Sequence, residues 1–307
     1  MKNNHNGLKK YIVADKYADM TIEEYLKSVM KVSSRKRQKL FRSRNVFVNG
    51  SPVHTKRRLR GGDMAAIRIF SDNTYGVRPQ IGPVEVLYED DSLIVLNKPS
   101  GILVHPAGQT EDFTLANYLA GYFQDQGRTI TIRPLHRLDR DTTGCVLFAK
   151  NPEIQTRLEA QLKSGEIHRI YRAVVNGQGI INDFPDGCID ANIGTVPGQQ
   201  NRRQVDEKGQ AAVTHFRIVE EIGPATVLEL WLETGRTHQI RVHMAFAGHP
   251  VLGDKMYGTP SRLISRQALH ASEISFIHPL SREEIRVTAP LPLDMKDCID
   301  KLKMFWE

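Results

Sequence analysis

Residues 31–60, "KVSSRKRQKLFRSRNVFVNGSPVHTKRRLR", hold eleven Lys or Arg and no Asp or Glu. The 307-residue chain is +7 overall, so the other 277 residues sum to −4. A basic block without compensating acid repels itself and does not fit the interior of a larger domain. The chain must therefore fold as a near-neutral to acidic body that carries a separate basic module. Taken as a solvated face, the block leaves its charge unrelieved. Taken as a polyanion-binding surface, it releases condensed counterions from phosphates, which accounts for the missing acids. No apolar run approaches the roughly 20 residues that span a bilayer. The start, "MKNNHNGLKKYIVADKY", has no apolar core and is not expected to be a signal peptide. Cys145, Cys188 and Cys298 are odd in number and far apart, which suggests neither a disulfide framework nor a zinc site. A reducing cytoplasm is expected.

Within the module, "TIEEYLKSVM" reads as a helix capped by Thr21, with Glu24 in capping-box position and Ile22, Leu26 and Val29 at helical spacing. "SSRKRQKLFRS" reads as a second helix capped by Ser33 or Ser34. Arg35, Lys39 and Arg42 share one of its faces, and Lys36, Arg37 and Arg44 add to the charge. "VFVNGSPV" reads as a hairpin turning at Asn49-Gly50, and "GGDMAAIRI" as a further turn and strand, with Lys56, Arg57 and Arg58 between. Two helices and a small hairpin with a basic second helix resemble the αL RNA-binding module. Ser34, Leu40, Val46, Val48, Asn49, Gly50, Gly62 and Asp63 carry the resemblance. Arg44 stands where members often have Gly, and Asn45 is the residue expected to take the left-handed conformation instead. The resemblance implies binding of structured RNA by shape and phosphate contacts. The module is expected over 1–70. Residues 71–82, "SDNTYGVRPQIG", are expected to be a linker, and 83–307 a second domain.

That body is strand-rich. "VEVLYED" and "SLIVLNK" read as a hairpin around Asp90-Asp91, and "CVLFAK" as a buried strand. "NPEIQTRLEAQLKSG" has Asn151 as N-cap, Pro152 at the first helical position and Gly165 past the end. "HRIYRAVV" reads as a strand. "VLELWLE" alternates Leu228, Leu230 and Leu232 with polar or aromatic residues, and "ISFIHPLSREEIRVTAP" reads as a hairpin. "TGRTHQIRVHMAFAG" is expected to become helical at Thr237 and stop at Gly248. Strands without a regular βαβ repeat indicate an α+β fold with a mostly antiparallel sheet.

The sequence contains no dinucleotide or phosphate loop, no zinc-protease motif and no nucleophile elbow. His238 and His243 are five apart, a poor spacing for a metal pair, so no metal is expected. "HRLDRDTTG", residues 136–144, is open to two readings: a turn capped by its side chains, or a loop holding a carboxylate for chemistry. Asp139 and Asp141 could also pair as hydrolytic carboxylates acting on nucleic acid.

"RPLHRLDRDTTGCVLFAK" resembles the H-R-L-D motif of the RluA-type pseudouridine synthases. "VLYEDDSLIVLNKPSGILVHPA", "GEIHRIYRAVVNG", "ETGRTHQIRVHMAFAGHPVLGDKMYG" and "ALHASEISFIHP" resemble that family's other motifs in order, over residues 84–290. Arg169 replaces the Lys of its K-x-Y-x-A segment. The resemblance implies isomerisation of uridine to pseudouridine in RNA, most readily large-subunit ribosomal RNA, with no cofactor. It assigns Asp139 as the essential carboxylate and Arg241 as its ion-pair partner. Arg137 is implied as the residue that fills the space of the flipped-out base. Tyr171 is implied as the residue that packs against the uracil and as a candidate base for the C5 proton. Arg133 and Arg137 are further cations that could compete for Asp139. The alternatives are a non-catalytic RNA-binding or ribosome-assembly factor, and a synthase acting on transfer RNA. A monomer is the simplest expectation.

Overall fold

The structure, a computed structural model, describes residues 8–32, 34–68 and 74–306. The chain forms two compact units, 1–73 and 74–307. In the first, β1 (Leu8–Ile12), α1 (Ile22–Ser28), α2 (Ser34–Arg42), β2 (Val46–Val48), β3 (Ser51–Pro52) and β4 (Met64–Arg68) follow in order. The strands form an antiparallel sheet in the order β1-β4-β2-β3. Thr21 and Glu24 form the expected capping box, which satisfies N–H groups that the first turn of α1 leaves unpaired. Ile22, Tyr25 and Leu26 pack with Leu40, Val46, Leu59 and Ile67 into a small core. Asn49 and Gly50 make the hairpin turn at φ 51° and 84°. Asn49 Nδ2 donates to Asp63 Oδ1 at 2.8 Å, and Met64 N donates to Asn49 Oδ1 at 2.8 Å, which locks the turn to the start of β4. The left-handed residue after α2 is Arg44, at φ 51°, and not Asn45. The position where related modules place Gly thus keeps the glycine conformation here. Ser33 lies outside the described residues.

The second unit contains β5 (Glu85–Glu89), β6 (Leu93–Lys98), α3 (Leu115–Asp125), β7 (Thr143–Ala149), α4 (Pro152–Ser164) and β8 (His168–Asn176). It continues through α5 (Ile180–Asp183), β9 (Cys188–Asp190), β10 (Ile193–Thr195), β11 (Arg203–Val205), β12 (Val213–Ile222) and β13 (Ala225–Leu232). It ends with α6 (Gln239–Phe246), β14 (Leu269–Ile277), β15 (Glu284–Thr288) and α7 (Leu293–Trp306). A nine-stranded sheet runs β5-β6-β7-β14-β8-β13-β12-β9, with β15 paired to β14. Among the described residues its pairings are antiparallel except β7 with β14, so the α+β expectation is met. β6 and β7 are buried on both faces. Ile94, Leu96, Val146 and Phe148 meet α3 on one side, and Leu93, Val95, Cys145 and Leu147 meet α4 on the other. This explains why their sequences are apolar runs instead of alternations. α4 has the predicted boundaries, with the Asn151 side chain accepting from Glu153 N and Ile154 N and Gly165 at φ 80°.

The second unit departs from the sequence expectation in its first residues and in its helices. Residues 74–82 are not a linker: Tyr75 and Val77 pack on the core, Ile132 N donates to Tyr75 O, and Gln80 N donates to Asn117 O. Helices α3 and α7 are additional. Gly121 weakens the helical signal of α3, yet a Cβ there would lie 2.2 Å from the Gln80 carbonyl, so glycine is what lets residues 74–82 lie against the helix.

Gly144 has φ 110°, and a Cβ on it would lie 2.1 Å from the Ala271 carbonyl across the β7–β14 pairing. Gly144→Ala is expected to cost roughly 3 kcal/mol of stability through backbone strain and displacement of β14. Thermal unfolding of the purified variant measures this.

Candidate active site

The 136–144 loop is held by its backbone. Lys98 is fully buried, and its Nζ donates to the carbonyls of Pro99, Ile102 and Arg140 at 2.8, 2.8 and 2.7 Å. Burial pushes the Lys98 pKa down to about 7, against the opposing charges of Asp141 and Asp139. Gly101 N donates to the same Arg140 carbonyl. On the far side Arg266 Nη1 donates to Asp141 O at 3.1 Å, while its Nε and Nη2 pair with Asp294 at the start of α7 at 2.6 and 2.8 Å. Thr143 Oγ1 meets His270 Nδ1 at 2.8 Å. Arg140 and Asp141 thus serve the loop through their carbonyls, a use of the main chain that no sequence motif displays.

So held, the loop presents Asp139 to a cavity of about 820 Å³. Asp139, Tyr171, Arg241 and Arg137, far apart in sequence, all line it. Arg241, on α6, donates from Nη1 to Asp139 Oδ2 at 3.0 Å. Arg133 instead donates from Nη1 to the Thr131 carbonyl. Arg137 is exposed at the cavity wall. Tyr171 is 5% exposed, and burial raises its pKa above the ordinary phenol value although the Arg169 charge acts to lower it.

Three members of the site escape sequence reasoning. Asp254 is fully buried and takes Arg241 in a bidentate grip, Nε to Oδ2 at 2.6 Å and Nη2 to Oδ1 at 2.9 Å. Met256 N and Tyr257 N also donate to Asp254 Oδ1. Burial alone would raise the Asp254 pKa, but the hydrogen bonds and charge of Arg241 outweigh it and hold the carboxyl below its ordinary value. Arg241, although buried, is kept cationic by Asp254 and Asp139. His238 caps α6 in the left-handed region, φ 60°, so the helix starts two residues later than predicted. Tyr257 Oη accepts from Arg203 N at 2.9 Å and lies 2.8 Å from His238 Nδ1. His238 Nε2 is 3.9 Å from Asp139 Oδ1. Burial lowers the His238 pKa, partly offset by Asp139, so the ring is neutral at pH 7. The third is Lys98. Asp254 and His238 both touch the ion-pair chain, and the signal for both is their place inside the longest motif.

His243 makes ordinary buried hydrogen bonds to Thr214 Oγ1 and the Ala191 carbonyl, each at 2.9 Å. Among the described residues no cluster of His, Cys, Asp and Glu could hold a metal ion.

In the first unit Arg42, Arg44, Lys56, Arg57 and Arg58 are exposed. Arg42 and Arg44 line a groove of about 320 Å³ with Phe41, Pro52, Val53 and His54. Arg37 departs from the expected exposed set: it is half-buried and donates from Nη1 to the Val32 carbonyl at 2.5 Å. Arg35, Lys36 and Lys39 lie on α2, but their side chains are outside the described residues. No helix among the described residues is long and apolar enough to cross a membrane.

The family described as RNA pseudouridylate synthase matches residues 92–246, half of the chain. The RNA pseudouridine synthase YhcT of Bacillus subtilis is 36% identical over 93% of this chain and 94% of its own length. The ribosomal large subunit pseudouridine synthase D of Xanthomonas campestris is 36% identical over 97% of this chain and 93% of its own. That of Salmonella typhimurium is 38% identical over 86% and 85%. Among solved structures, human RNA pseudouridylate synthase domain containing 4 superimposes with a TM-score of 0.57 at 23% identity, covering 71% of this chain and 93% of that one. That likeness concerns the fold.

Proposed function

The chain belongs to the RNA pseudouridylate synthase family and isomerises uridine to pseudouridine in RNA, and within that activity we propose that Asp139 is its essential carboxylate and large-subunit ribosomal RNA its substrate. The observation that carries the assignment of Asp139 is its ion pair with Arg241, itself gripped by buried Asp254. The Arg241 guanidinium, 3.0 Å from Asp139 Oδ2, fixes the carboxylate at the cavity wall, and either attack on the ribose or removal of its 2′ proton needs a carboxylate placed at the sugar. The target nucleotide must leave its stack to reach Asp139. Exposed Arg137 is suited to stacking in the vacated space. The raised pKa of Tyr171 counts against its service as a base, so we assign it packing against the uracil. Isomerisation is redox-neutral and calls for no cofactor. A cytoplasmic monomer is the proposed working form, in keeping with three free cysteines.

The relatives named for the large ribosomal subunit support the choice of substrate, and the basic first unit supports a structured RNA target. The test is pseudouridine mapping of RNA from cells with and without the gene. Loss of the mark at one or more large-subunit rRNA positions is expected; an unchanged map contradicts the proposal, and loss confined to transfer RNA moves the substrate.

Residues 1–73 are proposed to supply affinity more than chemistry. Their removal is expected to weaken RNA binding on the order of 100-fold at low salt and to flatten the dependence of log affinity on log salt. Single-turnover rates on saturating RNA are expected to change far less. Binding titrations at several salt concentrations measure both.

A further inference from the structure

Arg169 is a cation of the active-site cavity that lacks an acceptor for part of its guanidinium. It lies two residues before Tyr171 on β8, so the two side chains leave the same face of the strand, and both line the cavity with Asp139. Its Nε is buried without a partner, and it enters none of the ion pairs formed by the described residues. Other guanidiniums of the cavity are occupied: Arg241 by two carboxylates, Arg203 by the Gln200 and Arg202 carbonyls, and Arg236 by the Ala211 carbonyl. An arginine keeps its charge at any working pH. Arg169 is half-buried and hydrogen-bonds the Tyr171 hydroxyl, while its buried Nε still has no acceptor.

His136 adds to the same wall. Its Nε2 accepts from Leu147 N at 3.3 Å, so the neutral ring carries its proton on Nδ1, which is buried without an acceptor. Burial, and then the Arg169 charge, push the His136 pKa down to about 3, so the ring remains neutral. The wall thus offers one fixed positive charge and one spare N–H donor.

The reaction places negative charge in this cavity for part of its course. On the pseudouridine synthase reading, on which this inference rests, either role of Asp139 breaks the C1′–N1 bond with the electron pair passing to uracil. The charge spreads over N1, O2 and O4. The C1′–C5 bond then forms as Asp139 leaves C1′ or returns the 2′ proton, C5 loses its proton and N1 gains one, so atoms and charge balance without a co-reactant. We propose that Arg169 is a catalytic residue that binds the detached uracil anion, its guanidinium donating to a uracil oxygen while Tyr171 packs against the ring. A donor fixed where charge develops lowers the barrier without reorganising during the reaction.

The test uses full-length protein and large-subunit rRNA from the deletion strain, with single-turnover rate and RNA dissociation constant measured separately. Arg169→Met is expected to slow the bound reaction about 100-fold. Its RNA affinity and thermal unfolding should stay close to wild type. Arg169→Lys, which restores the charge, is expected to remain within about tenfold of wild type, and Arg169→Gln to resemble Met. Three results overturn the proposal: an undiminished rate in Arg169→Met, a loss confined to the dissociation constant as for a phosphate contact, or Lys as slow as Met. If wild-type protein itself leaves this RNA unmodified, the choice of large-subunit rRNA as substrate fails, and the fault is not specific to Arg169.

Discussion

Asp139→Asn is expected to reduce the single-turnover rate of pseudouridine formation by roughly 10⁴-fold, the scale seen when a group that takes part in bond-making is removed. The substitution keeps the volume and leaves the carboxamide oxygen able to accept from Arg241 Nη1, now at 3.0 Å from Asp139 Oδ2. What it removes is the carboxylate oxygen that the proposed chemistry brings to the sugar. The loop should hold its shape, because its anchors are the Arg140 and Asp141 carbonyls, bound by Lys98 and Arg266. RNA affinity should therefore remain near wild type. A rate measured on enzyme-saturated RNA, beside a binding titration, separates the two quantities. A variant that keeps its rate would transfer the chemistry to another group.

The second large effect is expected at a residue that does not line the cavity. Asp254→Ala strips Arg241 of two of its three carboxylate hydrogen bonds and leaves a buried guanidinium half-compensated. Breaking one side of a buried ion pair typically costs about 3–5 kcal/mol. The variant should unfold at a clearly lower temperature and, where it folds, should react more slowly because Arg241 no longer holds Asp139 at a fixed position. The pH dependence has a definite sign. Arg241 keeps the folded Asp254 carboxyl below its ordinary value, so its stabilisation is complete above the unfolded carboxyl pKa of about 3.9 and is lost as pH falls through the folded value. Acid unfolding of wild type should accordingly be steeper below about pH 4 than that of Asp254→Ala. Parallel acid limbs for the two proteins would show that the pair contributes little.

The contrast between Asp139 and Asp254 shows what a sequence can disclose. Asp139 stands in a compact, ordered motif, and the caps at Thr21 and Asn151 announce their helices within a few residues. Local rules govern such features, and local spacing reveals them. Asp254 meets Arg241 across 13 residues, and Arg241 meets Asp139 across 102. Neither distance has a period that could be read in advance. Residues 74–82 failed for a related reason. Their glycine and proline content marks irregular backbone, which they have, but irregular backbone can pack, as the close approach of Gln80 to Gly121 shows. Arg44 shows the limit of residue preference. The fold requires a left-handed residue after α2, and position decided which residue supplied it over the better-suited Asn45 next to it.

The measurement that tests the account most directly is pseudouridine mapping of large-subunit rRNA from a deletion strain complemented with either wild-type protein or Asp139→Asn at equal abundance. The account predicts that wild-type protein restores the lost mark and that Asp139→Asn leaves the uridine unmodified; restoration by Asp139→Asn would contradict it.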